Sequence, residues 1–176
     1  MIHDEQSFDL HLRHARGHIA RNYRVREWSL FAIKLIARKC LYGQPDVRGE
    51  HAGLVREAEL LLAGVMSHQV DARLFHAGGL VFYLKLMRVS DAAERTTLVA
   101  RARGMLDAAL QAARPPDPEL LLDYAMFELD AEQAGDVSKA LALVAQASDS
   151  PRHRVQVERL RTRLCASLRL TIQRTA

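Results

Sequence analysis

Apolar residues recur along this chain at steps of three and four, the spacing that keeps side chains on one face of an α-helix. The stripe that predicts helix one is formed by Phe8, Leu12, Ala15, Ile19 and Tyr23. Between residues 25 and 42 the apolar positions go most of the way round the helix, which predicts a buried second helix. The Gly-Gln-Pro-Asp sequence of residues 43–46 then ends it.

Start signals divide the rest of the chain into further helices. They are Asp71 for helix four, Asp91 with Glu94 for helix five, Asp117-Pro118 for helix six, Gly135-Asp136 before helix seven and Ser150-Pro151 for helix eight. Helix three lies between helices two and four and is predicted from the apolar residues Leu54, Ala58, Leu61 and Val65. Gly78-Gly79 inside helix four is costly in a helix and predicts close backbone contact there.

The sequence therefore predicts an all-α fold of about eight helices joined by short connections, which favours antiparallel helical hairpins. We expect a single helical domain over residues 1–176. It would consist of an N-terminal helix at 1–24, hairpins at 25–149 and a basic C-terminal helix at 150–176. In that last helix Val157, Leu160, Leu164 and Leu168 form a narrow apolar seam, and we expect this seam to cap the end of the hairpin array.

A short motif of small and large apolar residues repeats along the chain. Ala102, Leu106 and Ala109 recur 38 positions later as Ala140, Val144 and Ala147, and Ala58, Leu62 and Val65 form a weaker third copy. The small residue at the head of each triplet would allow a paired helix to approach closely. This periodicity indicates an α-solenoid.

An aromatic residue, a glycine four positions on and an aromatic three further are found at Phe75, Gly79 and Phe82. Trp28, Ala32 and Leu35 follow that spacing loosely, Tyr124 supplies the first aromatic of a third unit, and Gly135-Asp136 with Ala140 matches a turn and second helix. In these positions the sequence resembles the tetratricopeptide repeat family over about residues 25–151. The resemblance implies a short solenoid of helical hairpins.

The resemblance also implies a partner-binding groove. Carried over position by position, its lining would be Arg26, Ser29 and Ile33 from the first unit, Arg73, His76, Leu80 and Tyr83 from the second, and Leu122, Ala125 and Leu129 from the third. Such an apolar groove with a basic rim suits an apolar or amphipathic segment of a partner protein, as in small chaperones and adaptors. In the alternative interpretation Leu80 and Leu129 belong to the core.

The charge distribution supplies a second functional hypothesis. The 176 residues carry a formal charge of +4, with eight Lys/Arg against four Asp/Glu in residues 1–42, five against eleven in 91–149 and seven against one in 150–176. Arg-rich terminal helices suit a basic regulatory protein that associates with nucleic acid. We rank this below protein binding, because only four lysines are present.

Motifs for catalysis are missing from the sequence: it has no glycine-rich phosphate loop, no Gly-x-Ser-x-Gly elbow and no zincin motif. We therefore expect a non-catalytic protein without a cofactor. His11, His14 and His18 share one helix face and are weak candidates for a zinc or nickel site. A solvated or interface strip of histidines is favoured, because no fourth ligand is identifiable.

Cysteine usage and hydropathy bear on the compartment. Cys40 and Cys165 are too few for a disulfide scaffold, and we interpret Cys40 as a small buried apolar residue rather than a nucleophile. The N-terminal residues are not typical of an export signal, and the apolar run at residues 80–84 is too short to span a bilayer. We expect a cytoplasmic protein without a membrane span, and homo-oligomerisation stays an open alternative.

Overall fold

The regular structure of this chain is helical. The computed structural model describes residues 5–43, 46, 49–131 and 135–175, with side chains for 7–43, 46, 49–131 and 135–167. Within these ranges there is no strand, and the helices are α1 (Glu5–Ala20), α2 (Val25–Tyr42), α3 (Glu50–Val65), α4 (Ala72–Leu86), α5 (Ala92–Ala112), α6 (Pro118–Asp130), α7 (Val137–Ala147) and α8 (Arg154–Thr175). The predicted all-α class is confirmed, whereas the solenoid arrangement stays a prediction. None of the helices in these ranges has the length and apolar character that a membrane crossing requires.

Aspartate side chains cap four of the helices where the sequence placed start signals. Their carboxylates accept backbone N–H bonds from Leu74 to Asp71 (3.0 Å), from Glu94 to Asp91 (2.7 Å), from Glu119 to Asp117 (3.0 Å) and from Lys139 to Asp136 (2.9 Å). Ser150 behaves differently, because its hydroxyl lies 2.9 Å from His153 Nδ1. A 3₁₀ turn at Pro151–His153 follows it, so α8 begins only at Arg154.

The chain divides into two compact units, Met1–Ala109 and Leu110–Ala176. The sequence analysis expected one domain over residues 1–176.

In the first unit α2 packs against α1, α3 and α4, and α3 also contacts α4. The apolar face of α1 contributes Phe8, Leu12 and Ala15 to the buried core. Helix α1 ends at Ala20, so the expectation that Tyr23 continues its apolar stripe is wrong. The chain turns there, and Tyr23 is left 52% exposed.

Gly79 lets α4 approach α5. A Cβ atom at Gly79 would lie 2.6 Å from Cγ of the buried Leu106, and one at Gly78 would lie 3.3 Å from Met105 Sδ. The close contact predicted from Gly78-Gly79 is therefore confirmed. All members of the three repeated triplets are buried. They are Ala58, Leu62 and Val65; Ala102, Leu106 and Ala109; and Ala140, Val144 and Ala147.

The second unit consists of α6, α7 and α8, and each of these helices contacts the other two. Helix α6 is buried from Leu120 to Glu128, and the predicted seam of α8 is buried at Val157, Leu160 and Leu164. The side chain of Leu168 lies outside the described residues. Arg163 of α8 pairs with Asp130 of α6, as expected for a basic helix that follows an acidic segment.

Candidate functional site

The residues of the predicted groove lie mostly in the interior. Ser29, His76, Leu80, Tyr83 and Leu122 are each at most 3% exposed, whereas Arg26 and Leu129 are half-buried and Arg73 is exposed. The buried side chains contribute to the core because α2, α4 and α6 turn these faces toward neighbouring helices. Leu80 thus agrees with the core alternative. A role of these residues in partner binding stays a prediction.

The arginines predicted for the basic rim of that groove form ion pairs within the chain. Arg26 Nη2 lies 2.8 Å from Asp71 Oδ1 and donates to the Gln69 carbonyl oxygen at 3.0 Å. Arg73 Nε lies 3.6 Å from the same carboxylate. Partial burial opposes ionisation of Asp71, but hydrogen bonds from the Leu74 N–H and from Arg26 outweigh it and lower the pKa of this carboxyl. These arginines therefore join α2 to the start of α4.

A parallel stack of rings joins α1 to α2. The His14 and His18 rings have centroids 5.3 Å apart and planes inclined by 5°, and the His18 and Trp28 rings have centroids 4.3 Å apart and planes inclined by 9°. The His14 and Trp28 rings are also near-parallel, with centroids 6.5 Å apart, so the three rings form one compact cluster. The sequence placed the histidines on one boundary face of helix one, and the structure adds Trp28 to them.

Two further rings extend this stack into solvent. Tyr23 is tilted by 44° against His18 at 5.5 Å, and Phe31 meets Trp28 edge-on at 5.7 Å. Tyr23 is 52% and Phe31 is 38% exposed. We refer to His14, His18, Tyr23, Trp28 and Phe31 as the aromatic strip.

The turn between α1 and α2 holds Tyr23 in place. Asn22 (φ 57°) and Arg24 (φ 42°) both adopt the left-handed conformation, which is uncommon for residues other than glycine. The Tyr23 N–H donates to the His18 carbonyl oxygen at 3.1 Å, and the Arg24 guanidinium lies 5.7 Å from the centroid of the Tyr23 ring. Strained backbone of this kind concentrates at functional sites, so the turn supports a functional role for the aromatic strip.

The histidines are not arranged to chelate a metal. The rings of His14 and His18 are stacked face to face, and the in-plane lone pairs of stacked rings do not converge on one ion. His11 Nδ1 lies 2.5 Å from the Ser7 carbonyl oxygen. Throughout the described part of the chain, no three His, Cys, Asp or Glu side chains are grouped so that they could hold a metal ion. An interface strip of histidines remains the better interpretation.

A second candidate is an open cleft of about 470 Å³ on the first unit, lined by Phe8, Asp9, Leu12, Arg16, Lys39, Glu50, Gly53, Leu54 and Glu57. Both of its cations form ion pairs within the chain. Arg16 makes a two-point contact with Glu57 at 2.7 and 2.5 Å, and Lys39 Nζ lies 3.8 Å from Asp9 and 3.7 Å from Glu50. The cleft therefore offers a ligand no unpaired cation, and its three carboxylates outnumber its two cations by one.

The nearby thiol is poorly suited to nucleophilic chemistry. Burial raises the pKa of Cys40 to about 11, and the Asp46 charge adds to this shift against the opposing effect of Lys39 and Arg88. A thiol with such a pKa carries little thiolate near neutral pH. This agrees with the interpretation of Cys40 as a small apolar residue.

The sequence analysis missed the aromatic strip as a unit. The histidines were identified by their spacing, and Trp28 and Phe31 were counted among the apolar residues of a buried second helix. The remaining signal was Tyr23 beside Asn22, a residue type that tolerates left-handed backbone. That signal indicates a turn but not which rings the turn brings together.

Comparisons with known proteins identify no family for this chain. No protein-family model matches it, and neither a curated protein nor a solved structure does. The function is therefore argued from the surface of the molecule.

Proposed function

We propose that this chain is a non-catalytic interaction module, of the small chaperone or adaptor type, that binds an apolar or amphipathic segment of a partner protein. The observation that carries the proposal is the aromatic strip. Tyrosine, tryptophan and arginine are enriched among the residues that dominate binding at protein interfaces. Here Tyr23, Trp28 and Arg24 lie together on one partly exposed surface.

The strip also has the mechanical character of an interface. The stack of His14, His18 and Trp28 fixes the rings against one another, so little side-chain entropy is lost when a partner covers them. Tyr23 contacts His18, Phe31 contacts Trp28, and both rings are exposed. A partner segment that covered both would remove a large apolar area from water.

This proposal moves the expected contact away from the groove residues. Tyr83 and Leu80 are enclosed in the core, and a partner would have to open the first unit to reach them. The aromatic strip is accessible in the folded chain without such a rearrangement. Partner binding at the strip therefore requires no unfolding.

Site-specific photocrosslinking tests the proposal. A benzophenone amino acid replaces Tyr23 or Phe31 in the full chain, which is then irradiated in an extract of its native host. We expect both positions to crosslink to the same protein segment, identified by mass spectrometry. Leu60 and Val70, exposed by 62% and 59% in the first unit, provide matched control positions outside the strip.

The controls decide the outcome. Crosslinks that form at Leu60 and Val70 as efficiently as at Tyr23 and Phe31 would show unspecific contact with any exposed apolar side chain. That result, or a lack of protein crosslinks at the strip, would contradict the proposal.

A further inference from the structure

The charges around the aromatic strip indicate the chemistry of its partner. Residues 10–34 contain six basic side chains and one acidic side chain, Glu27. Two of the six are neutralised, because Arg16 pairs with Glu57 and Arg26 pairs with Asp71. The remaining positive charge is what a partner would meet.

Of the other four basic side chains, Lys34 is half-buried and already takes part in an interaction, and the remaining three are arginines. Arg13 precedes His14 on the exposed side of α1, and Arg21 and Arg24 flank Tyr23 in the turn. All three are exposed, and none has a carboxylate partner within the described residues. Even with the opposing charge of the exposed Glu27, this part of the surface keeps an excess of positive charge.

We propose that the aromatic strip binds an acidic amphipathic segment of a partner protein, which rests on the function proposed above. Carboxylates of the segment pair with Arg13, Arg21 and Arg24, and its apolar side chains cover Tyr23, Trp28 and Phe31. Guanidinium groups suit carboxylates because they donate two parallel hydrogen bonds. Attraction between opposite charges also brings the segment to the strip and fixes its orientation.

The geometry of the rings favours a peptide over a single-stranded nucleic acid. Nucleic-acid-binding surfaces of this kind offer open ring faces on which successive bases stack. Here the near-parallel rings of His14, His18 and Trp28 pack on one another with centroids 4.3 to 6.5 Å apart, and Phe31 meets Trp28 edge-on. Ring faces that pack on one another are not open to bases, whereas the exposed rings of Tyr23 and Phe31 suit contact with aliphatic and aromatic side chains.

Fluorescence anisotropy with three labelled probes tests the inference. The first probe is a helical 18-residue peptide with leucine and phenylalanine on one face and glutamate on the other. The second has every glutamate replaced by glutamine, and the third is a 20-nucleotide single-stranded DNA of mixed sequence. Trp28 is the single tryptophan of the chain, so its emission reports contact at the strip.

We expect the acidic peptide to bind to the full chain at least tenfold more tightly than the glutamine peptide and to change Trp28 emission. The triple variant Arg13→Gln, Arg21→Gln, Arg24→Gln should weaken that binding at least tenfold and remove most of its salt dependence. The matched control is Arg152→Gln, Arg154→Gln, Arg159→Gln, which changes the net charge equally at three exposed arginines of the second unit. It should alter binding less than twofold.

Each other result overturns a stated part of the argument. One such result is that the two peptides bind equally, with binding weakened by the double variant Tyr23→Ala, Phe31→Ala but not by the arginine variant. That result overturns the inference of an acidic partner and leaves the proposed function standing. Binding of neither peptide overturns both. Tighter binding of the DNA than of the acidic peptide also overturns both, in favour of nucleic acid. If the control variant loses as much affinity for the acidic peptide as the strip variant does, the effect comes from net charge alone, and the inference is overturned.

Discussion

The missing side chain at Gly79 sets the distance between α4 and α5. A methyl group there would meet Leu106 Cγ at 2.6 Å and Cδ2 at 2.7 Å, and Leu106 is itself fully buried. The helix tolerates a glycine at this place although glycine is a poor helix former. The gain in packing therefore outweighs the loss in helix propensity.

We predict that Gly79→Ala lowers the free energy of unfolding by about 1–2 kcal/mol. Overpacking a core costs roughly 1–3 kcal/mol, and the better helix propensity of alanine returns up to about 1 kcal/mol. Urea denaturation followed by circular dichroism measures the difference. Gly104→Ala in α5 is the matched control, since nothing lies within 4 Å of its added Cβ, and it should be neutral or stabilising.

Asp71 predicts how the stability depends on pH. Its pKa is lowered in the folded chain by the Leu74 N–H and by Arg26, against the effect of burial. Its stabilising contribution is therefore present above the ordinary aspartate pKa of about 4 and is lost as the pH falls through the lower folded value. We expect melting temperatures between pH 6 and pH 2.5 to fall less steeply in Asp71→Asn than in the wild type.

A second variant separates the cap from the ion pair at Asp71. Asparagine still accepts the Leu74 N–H, whereas alanine cannot, so Asp71→Ala should cost about 1 kcal/mol more than Asp71→Asn at neutral pH. Identical pH profiles of the wild type and Asp71→Asn would contradict the role of the charge.

Among the helices, α8 shows how a narrow seam holds an otherwise polar element. Within the second unit the α8 residues Val157, Leu160 and Leu164 are buried, while Arg159 and Arg161 on the same helix are exposed. Spacings of three and four place the seam on one face. The attachment of α8 therefore depends on a few side chains.

We predict that Leu160→Ala lowers the free energy of unfolding by about 2–5 kcal/mol, the usual cost of removing a buried leucine side chain. Val155→Ala, at a position 51% exposed on the same helix, should change it by less than about 0.5 kcal/mol. Thermal denaturation of both variants tests this. Equal effects would show that the seam does not attach α8.

The helices could be predicted from the sequence, and the starts of several of them followed from local chemistry, whereas the end of α1 and the start of α8 did not. Asp71, Asp91 and Asp117 cap helices because a carboxylate satisfies N–H groups a few residues away. The aromatic strip could not be predicted in this way, since His18 and Trp28 meet only after two helices pack and a strained turn forms. The burial of Tyr83 likewise depends on neighbours that no local pattern names.

At the scale of the whole molecule, several ion pairs lie at the surface. The pairs Arg16 with Glu57, Arg161 with Glu158 and Arg163 with Asp130 each keep an arginine side chain exposed by 45% or more. Exposed pairs contribute about 0.2–1 kcal/mol each and are screened by salt. The apolar core therefore dominates the stability.

We predict that raising sodium chloride from about 0.05 M to about 0.5 M changes the melting temperature by no more than about 5 °C, because the pairs that salt screens are individually weak. Differential scanning calorimetry at neutral pH provides the measurement. A fall of more than about 5 °C would contradict the prediction and show that ion pairs screened by salt contribute substantially to stability.

The carboxylate of Glu128 has a consequence for the exchange of amide hydrogens with solvent. Glu128 is 1% exposed, and its Oε2 accepts the N–H of Asp136, which lies ahead of α7 and outside any helix. An amide held by a buried acceptor exchanges only when the surrounding structure opens. In deuterated buffer the Asp136 amide should therefore exchange at about the rate of the amides inside α7, and Glu128→Leu should make it exchange as fast as an unprotected loop amide.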